Sequence, residues 1–189
     1  MDGKTLRGSG HGGEDRCHLL AALDQAHGVV LGQAEVDAKT NEITMFTTLR
    51  DRIETNGAVI TADAVHAQHE HARYLARHGA QYVTTVKGNQ PGLHAQLAAL
   101  PWRQVPVAYQ AREHGHGRAE HCTLKVASVA AGLAFPHAAQ AIQITRRRKA
   151  GGSGHAKTRY AVTSLTVTQA SRRPARRRQL DSRLAGGPA

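Results

Sequence analysis

Asp2 and Asp63 are the residues of this chain best placed to do chemistry, each a carboxylate at the mouth of an expected strand. Asp2 stands in Met-Asp-Gly-Lys, and Asp63 in Thr61-Ala62-Asp63-Ala64-Val65-His66-Ala67-Gln68, directly after the apolar run Ala58-Val59-Ile60. Acids on neighbouring strands can hold divalent metal against phosphate oxygens, because carboxylates are hard ligands that leave room for water and substrate. Two Mg²⁺ (or Mn²⁺) ions in such a place would serve an in-line displacement at phosphorus, one helping the attacking oxygen and one the leaving oxygen. The same residues also read as an exposed terminal acid and a helix N-cap. Residue type and spacing alone leave both readings open.

The elements that must position these acids can be traced from pattern. Lys4 to Arg16 is Gly-rich and charged, a loop. His18 to Asp24 reads as a strand, Gln25-Ala26-His27-Gly28 as its turn, and Val29 to Val36 as the returning strand. Asn41 is placed to cap a helix over Glu42 to Glu54, whose Ile43, Phe46, Leu49 and Ile53 share one face, with Gly57 as a stop. Ala58 to Ala62 is a short apolar strand, Ala64 to His78 a helix stopped by Gly79, and Gln81 to Val86 the next strand. Pro91 to Leu100 reads as a helix with its proline in the first turn. Cys122 to Ala130, Ala141 to Thr145 and Tyr160 to Leu165 read as strands separated by basic, Gly-rich loops. The alternation predicts an α/β fold with a mixed sheet and flanking helices. Three strands with the first shortened, then helix, strand, helix and strand, is the RNase H-like order, with one acid on the first strand and one at the end of the fourth.

Composition points to the partner. A net charge of +11 and a pI near 10.5 favour a polyanion, most simply nucleic acid, although a basic surface alone would also fit. Aromatic residues are only 4% of the chain, which argues against base-stacking platforms. Cys17 and Cys122 fit no metal or redox spacing, so a reduced cytoplasmic setting is expected. No apolar run approaches a membrane span, and no signal peptide opens the chain, so no membrane partner is expected.

Further basic and polar residues are candidate nucleic-acid contacts. Lys4 follows Asp2 closely, and Lys87 and Asn89 end a strand whose neighbour carries Asp63, where a plain solvated turn is the other reading. His114-Gly115-His116-Gly117-Arg118 reads as a loop able to approach phosphate, with His116 and Arg118 as donors. Arg146-Arg147-Arg148-Lys149, followed by Gly-Gly-Ser-Gly-His, reads as a concentrated positive loop that neutralises phosphates without reading sequence. His66, His69 and His71 lie together after Asp63; without a His-Glu-x-x-His arrangement they read as polar surface histidines rather than a zinc site.

At these residues the chain resembles a family. Asp-Gly-Lys-Thr-Leu-Arg-Gly-Ser (2–9) is similar to the opening of the catalytic domain in DDE-type insertion-sequence transposases of the ISAs family, related to the IS-four group. Lys39-Thr40-Asn41-Glu42-Ile43, Thr61 to Gln68, and Val86-Lys87-Gly88-Asn89-Gln90 match its next motifs in order. His116-Gly117-Arg118-Ala119-Glu120 and Tyr160 to Leu165 match later landmarks, so the resemblance spans about residues 2 to 170. It implies an RNase H-like fold and Mg²⁺-dependent cleavage and transfer of double-stranded DNA at element ends and target, with self-association left open. It also implies that Asp2 and Asp63 are the first two members of an acidic triad.

The family's third acid is a glutamate on a late helix, in a stretch like Arg-x-His-Trp-x-Ile-Glu-Asn. After Ser171 this chain instead reads Arg-Arg-Pro-Ala-Arg-Arg-Arg-Gln-Leu-Asp-Ser-Arg-Leu-Ala-Gly-Gly-Pro-Ala. The expectation is therefore a core over 1–170, incomplete at both ends, and a basic tail over 171–189 that is disordered or out of frame. Glu120 completes a D…D…E order but precedes a strand, not a late helix. Such a chain is expected to be catalytically impaired. The rival readings are a non-catalytic DNA-binding fragment, a generic RNase H-like nuclease and a fragment that does not fold.

Overall fold

The computed structural model describes residues 2–5, 18–36, 42–115, 118–129, 132–150 and 153–171. They form two compact units, Met1–Thr84 and Thr85–Ala189.

In the first unit, β1 (Asp2–Thr5), β2 (His18–Asp24) and β3 (Val29–Val36) form an antiparallel sheet in the order β1-β2-β3. Asp24 shapes the β2–β3 turn, since its carboxylate accepts from the Ala26 amide at 2.8 Å and Gly28 takes a φ of +71°. Period-two alternation buries Leu20 and Ala22 on one face of β2, with Ala34 opposite Leu20. Helix α1 (Glu42–Arg50) packs on that face through Phe46 and Leu49, both essentially without solvent contact. Full burial of a side chain of this size contributes roughly 1.5–3 kcal/mol. Gly32 opposite Ala22 admits the helix, because a Cβ there would lie 3.1 Å from Leu49 Cδ1.

The next elements are β4 (Val59–Ala62), a single 3₁₀ turn (Ala64–His66), α2 (His69–Arg77) and β5 (Gln81–Val86). The continuous helix expected from Ala64 to His78 is thus broken. The Ala67 amide bonds back to the Ala64 carbonyl, which tightens that segment into a 3₁₀ turn, and α2 starts again after Gln68. Helix α2 closes with the Ala80 amide on the Leu75 carbonyl and the Gly79 amide on the Ala76 carbonyl, a Schellman motif in which Gly79 has a φ of +67°. β4 and β5 run parallel, with Ala62 beside Thr84.

In the second unit, α3 (Pro91–Ala98) precedes four strands joined as consecutive antiparallel pairs: β6 (Val107–Gly115), β7 (Arg118–Ser128), β8 (Gln140–Ala150) and β9 (Ser153–Thr163). The core gathers at one end of these strands. Ala141, Ile142 and Ile144 on β8 and Ala161 and Val162 on β9 are buried there, with Leu93, Leu97, Trp102 and Phe135. Trp102 donates its indole N–H to the Leu97 carbonyl at 2.7 Å, and Lys125 Nζ donates to the Trp102 carbonyl at 2.6 Å. At the other end the strands carry Arg147, Arg148 and Lys149 exposed to solvent.

The element order β1-β2-β3-α1-β4-α2-β5 along the chain matches the expected one. Two further expectations are corrected. β6 is a strand where no strand was expected, because its Gln-Ala-Arg-Glu-His-Gly sequence is too polar to signal one. The run Arg146 to Lys149 lies within β8 rather than in a loop, because each of its residues pairs with both β7 and β9.

Candidate functional site

Asp63 immediately follows β4, the short apolar strand that sets its position. Its backbone is extended (φ −74°, ψ 172°) and its Oδ1 accepts from the Ala64 amide at 2.6 Å, so it caps the 3₁₀ turn. The Asp63 carbonyl accepts from the His66 amide at 3.0 Å and from Thr84 Oγ1 at 3.4 Å, which fastens it to the neighbouring strand β5. The carboxylate is exposed at the end of the strand. An exposed, backbone-anchored carboxylate fits a hard divalent cation that keeps water and phosphate as its other ligands. The N-cap reading of Asp63 also holds: one side chain can do both, since a carboxylate has two oxygens.

Asp2 lies on β1, directly opposite Ala21, and Lys4 lies opposite Leu19. Their side chains are outside the described residues. β1 pairs with β2, and β4 with β5; among the described residues no ladder joins β1 to β4. The two acids therefore do not sit on hydrogen-bonded neighbouring strands there. Among the described residues no group of three or more His, Cys, Asp or Glu side chains is arranged around a metal position.

Behind Asp63 the expected surface histidines are corrected. His66 and His71 are buried, 3% and 4% exposed. The His71 ring stacks on Phe46 at 4.0 Å between centroids, and the His66 ring tilts against Phe46 at 5.2 Å. His71 Nε2 donates to the Ile43 carbonyl at 3.0 Å in the neutral tautomer. Burial pushes the His71 pKa below its ordinary value of 6.5, opposed by hydrogen bonds to the Ile43 and His66 backbone and by the charge of Glu70. These rings brace the segment that carries Asp63 against Phe46 of α1.

Lys87 and Asn89 are exposed in the turn between β5 and α3. His116 lies outside the described residues. Arg118 opens β7 opposite Gly115 and Ala150, its side chain also outside the description.

The four-residue basic run is divided by the pleat of β8. Arg148 is opposite Glu120 on β7, and Glu120 bonds Arg148 Nε at 2.7 Å and approaches Arg146 Nε at 3.6 Å. Glu120 is thereby tied to two arginines on its own face of the strands. Arg147 and Lys149 point to the other face. Directly across the ladders, Arg147 is beside His121, and His121 beside Arg112. Arg112 and His121 were not singled out from the sequence. Their signal is the period-two spacing Arg112, His114 and Ala119, His121 on two strands, which becomes visible only once β6 is known to be a strand.

A short helix, α4 (Val167–Ser171), follows β9. Thr166 Oγ1 accepts from the Gln169 amide at 3.3 Å while Gln169 Oε1 accepts from the Thr166 amide at 3.0 Å, a reciprocal capping box. It carries no acid. Among the described residues no helix is long and apolar enough to cross a membrane.

Comparison with known proteins bears on this arrangement. Residues 1–177 match the model of the transposase DDE domain. The chain is 33% identical over 127 residues to the H repeat-associated putative transposase YhhI of Escherichia coli K12, covering 64% of this chain and 34% of that protein. It is 30% identical over 176 residues to an uncharacterized protein in the dhlA 3′ region of Xanthobacter autotrophicus, covering 88% of this chain and 60% of that protein. The chain thus spans about a third to three-fifths of the length of these relatives. The cryo-EM structure of a piggyBac transposase synaptic complex with hairpin DNA aligns with a TM-score of 0.42 at 14% identity, over 79% of this chain and 27% of that one, too distant to carry an argument. By the match across nearly all its length, this chain belongs to the transposase DDE domain family.

Proposed function

We propose that this chain acts as an RNase H-like catalytic core of a DDE insertion-sequence transposase, of the ISAs type, cleaving and joining double-stranded DNA at element ends. Residues 1–170 form that core and 171–189 a basic tail. The observation that carries the reading is Asp63, an exposed carboxylate anchored at the end of β4 within a chain of the DDE domain family. Asp2 and Asp63 would hold Mg²⁺ or Mn²⁺. When bound, the metal supplies Lewis-acid stabilisation of the charge that develops in phosphoryl transfer. Asp63 contributes a side chain held by the Ala64 amide, so little orientation is lost on binding. Lys4, Lys87, Asn89, His116, Arg118 and the cationic strands of the second unit neutralise DNA phosphates.

A second reading, a DNA-binding chain with impaired cleavage, is favoured by one observation. Glu120 is the last glutamate of the sequence and is committed to Arg146 and Arg148, while α4 is without an acid. We infer that cleavage by this chain alone is slow, because loss of one charge-stabilising group commonly removes a factor of about 10² or more in rate.

The test is nicking of a supercoiled plasmid bearing the element ends, with Mg²⁺ and with chelator, for the wild type and for Asp63→Asn. Metal-dependent nicking lost in Asp63→Asn supports the catalytic reading. Specific binding without nicking supports the second. Equal nicking of a plasmid lacking the ends would point to a general nuclease instead.

A further inference from the structure

The basic strands of the second unit have two chemically different faces, and the register defines them. Directly opposed residues of antiparallel strands share a face. Two neighbouring cross-strand rows are therefore Arg112–His121–Arg147–Ala156 and His114–Ala119–Lys149–Gly154. Residues two apart on a strand lie on the same side, so the two rows form one surface. It carries Arg112, His114, His121, Arg147 and Lys149 and no acid. The intervening rows, Glu113–Glu120–Arg148–His155 and Ala111–Cys122–Arg146–Lys157, lie on the opposite face and hold both acids of this region.

The first face is also shaped. It borders a depression of about 550 Å³ lined by these five residues and, from the intervening row, by Glu120, Arg148 and His155. Ala119, Gly154 and Ala156 line it as well, small residues that leave its floor open to a close approach. Nε2 of His121 is buried there with no hydrogen-bond partner among the described residues. Cationic side chains around a floor of small residues suit a negatively charged backbone that must come close, not an apolar ligand.

We propose that this face, and not the whole Arg146–Lys149 run, is the surface on which the second unit docks the phosphate backbone of duplex DNA. Arg147 and Lys149, with Arg112, contact phosphates. Arg146 and Arg148 face away, their charge compensated by Glu120. Lysine and arginine side chains beside small residues neutralise phosphates without reading base sequence, so the surface is proposed to recognise charge. This rests on the reading above that the partner is DNA, and narrows which residues meet it.

The experiment compares substitutions of equal charge in the full chain. Binding of a fluorescent duplex is measured by anisotropy across a salt series, in chelator, for the wild type, R147Q, K149Q and R148Q. Thermal melts of each variant confirm folding; Arg147 and Lys149 are exposed, so both variants are expected to melt as the wild type. R147Q and K149Q should each lower the slope of log K against log salt by about 0.9, which is roughly an eightfold affinity loss near ~0.1 M salt. R148Q should leave the slope unchanged. Equal losses from R147Q and R148Q would overturn the proposal, as would no loss from R147Q and K149Q together. Because the assay contains no metal, its outcome is separate from nicking. Metal-dependent nicking with unaltered R147Q binding would sink this surface and leave the proposed function standing. A wild type that binds no duplex at low salt would remove the DNA partner from both.

Discussion

Glu120 and Arg148 face each other across β7 and β8 and are joined at 2.7 Å, so the shortest ion pair among the described residues of the basic strands is internal to the protein. Glu113 stands directly opposite Glu120 on the other side, a like-charge pair that the arginines offset. Replacement Glu120→Gln should therefore change stability little, within about 1 kcal/mol, because the pair is partly exposed and screened. It should leave the salt slope of duplex binding unchanged, since Glu120, Arg148 and Arg146 all face away from the docking surface. Anisotropy titrations of E120Q showing an altered salt slope would contradict the internal role assigned to Glu120.

Asp63 has two roles that substitution can separate. Asparagine caps as well as aspartate, whereas alanine removes the cap at a cost of about 1 kcal/mol. Asp63→Asn should then melt close to the wild type and Asp63→Ala below it. Both should lose any metal-dependent nicking. Retained nicking in Asp63→Asn would leave Asp63 a cap and nothing more.

The buried His71 makes the first unit acid-sensitive. Its pKa is depressed in the folded state, so the unfolded state takes up the proton more readily. The stability it contributes is complete above the ordinary value of 6.5 and is lost as pH falls from there toward the folded pKa. Melting temperature should decline as pH falls from neutral through 6.5. His71→Phe should flatten that profile, while losing the bond to the Ile43 carbonyl at a cost of about 1 kcal/mol. An identical pH profile in the variant would show that His71 is not the responsible group.

Gly79 and Gly57 both have positive φ, 67° and 68°, but different surroundings. A Cβ on Gly79 would lie 2.4 Å from Asn56 Oδ1, whereas nothing lies within 4 Å of one on Gly57. Gly79→Ala should destabilise by roughly 1–3 kcal/mol, from left-handed backbone strain plus the displacement of Asn56. Gly57→Asn should be tolerated, asparagine being a residue that accepts this conformation. Chemical denaturation of the two variants checks the contrast, and equal losses would refute it.

Much of the first unit was legible from the amino acids. β2, its turn and β3 appear with the expected limits, because alternating apolar residues bounded by Asp24 and Gly28 carry their own signal. Helix α1 starts at the expected Glu42 but ends at Arg50, short of Glu54, and Arg50 instead turns its guanidinium onto the Ile53 carbonyl at 2.8 Å. β4 is legible from its apolar run, and with it the place of Asp63. The Arg-rich run of the second unit and the histidines after Asp63 were not, since their neighbours are remote in sequence.

By itself the sequence determined the order of elements as far as β5, the position of Asp63 at a strand end and the likeness to DDE transposases. Each rests on local propensity or on short motifs, which need no partner to be recognised. Only the tertiary structure decided which way Arg146, Arg147, Arg148 and Lys149 face, and which of them Glu120 compensates. It also decided that His66 and His71 are core residues. The reason is the same in both cases: side chains twenty or more residues apart meet only when strand register and helix packing bring them together, as Glu120 meets Arg148 and Phe46 meets His71.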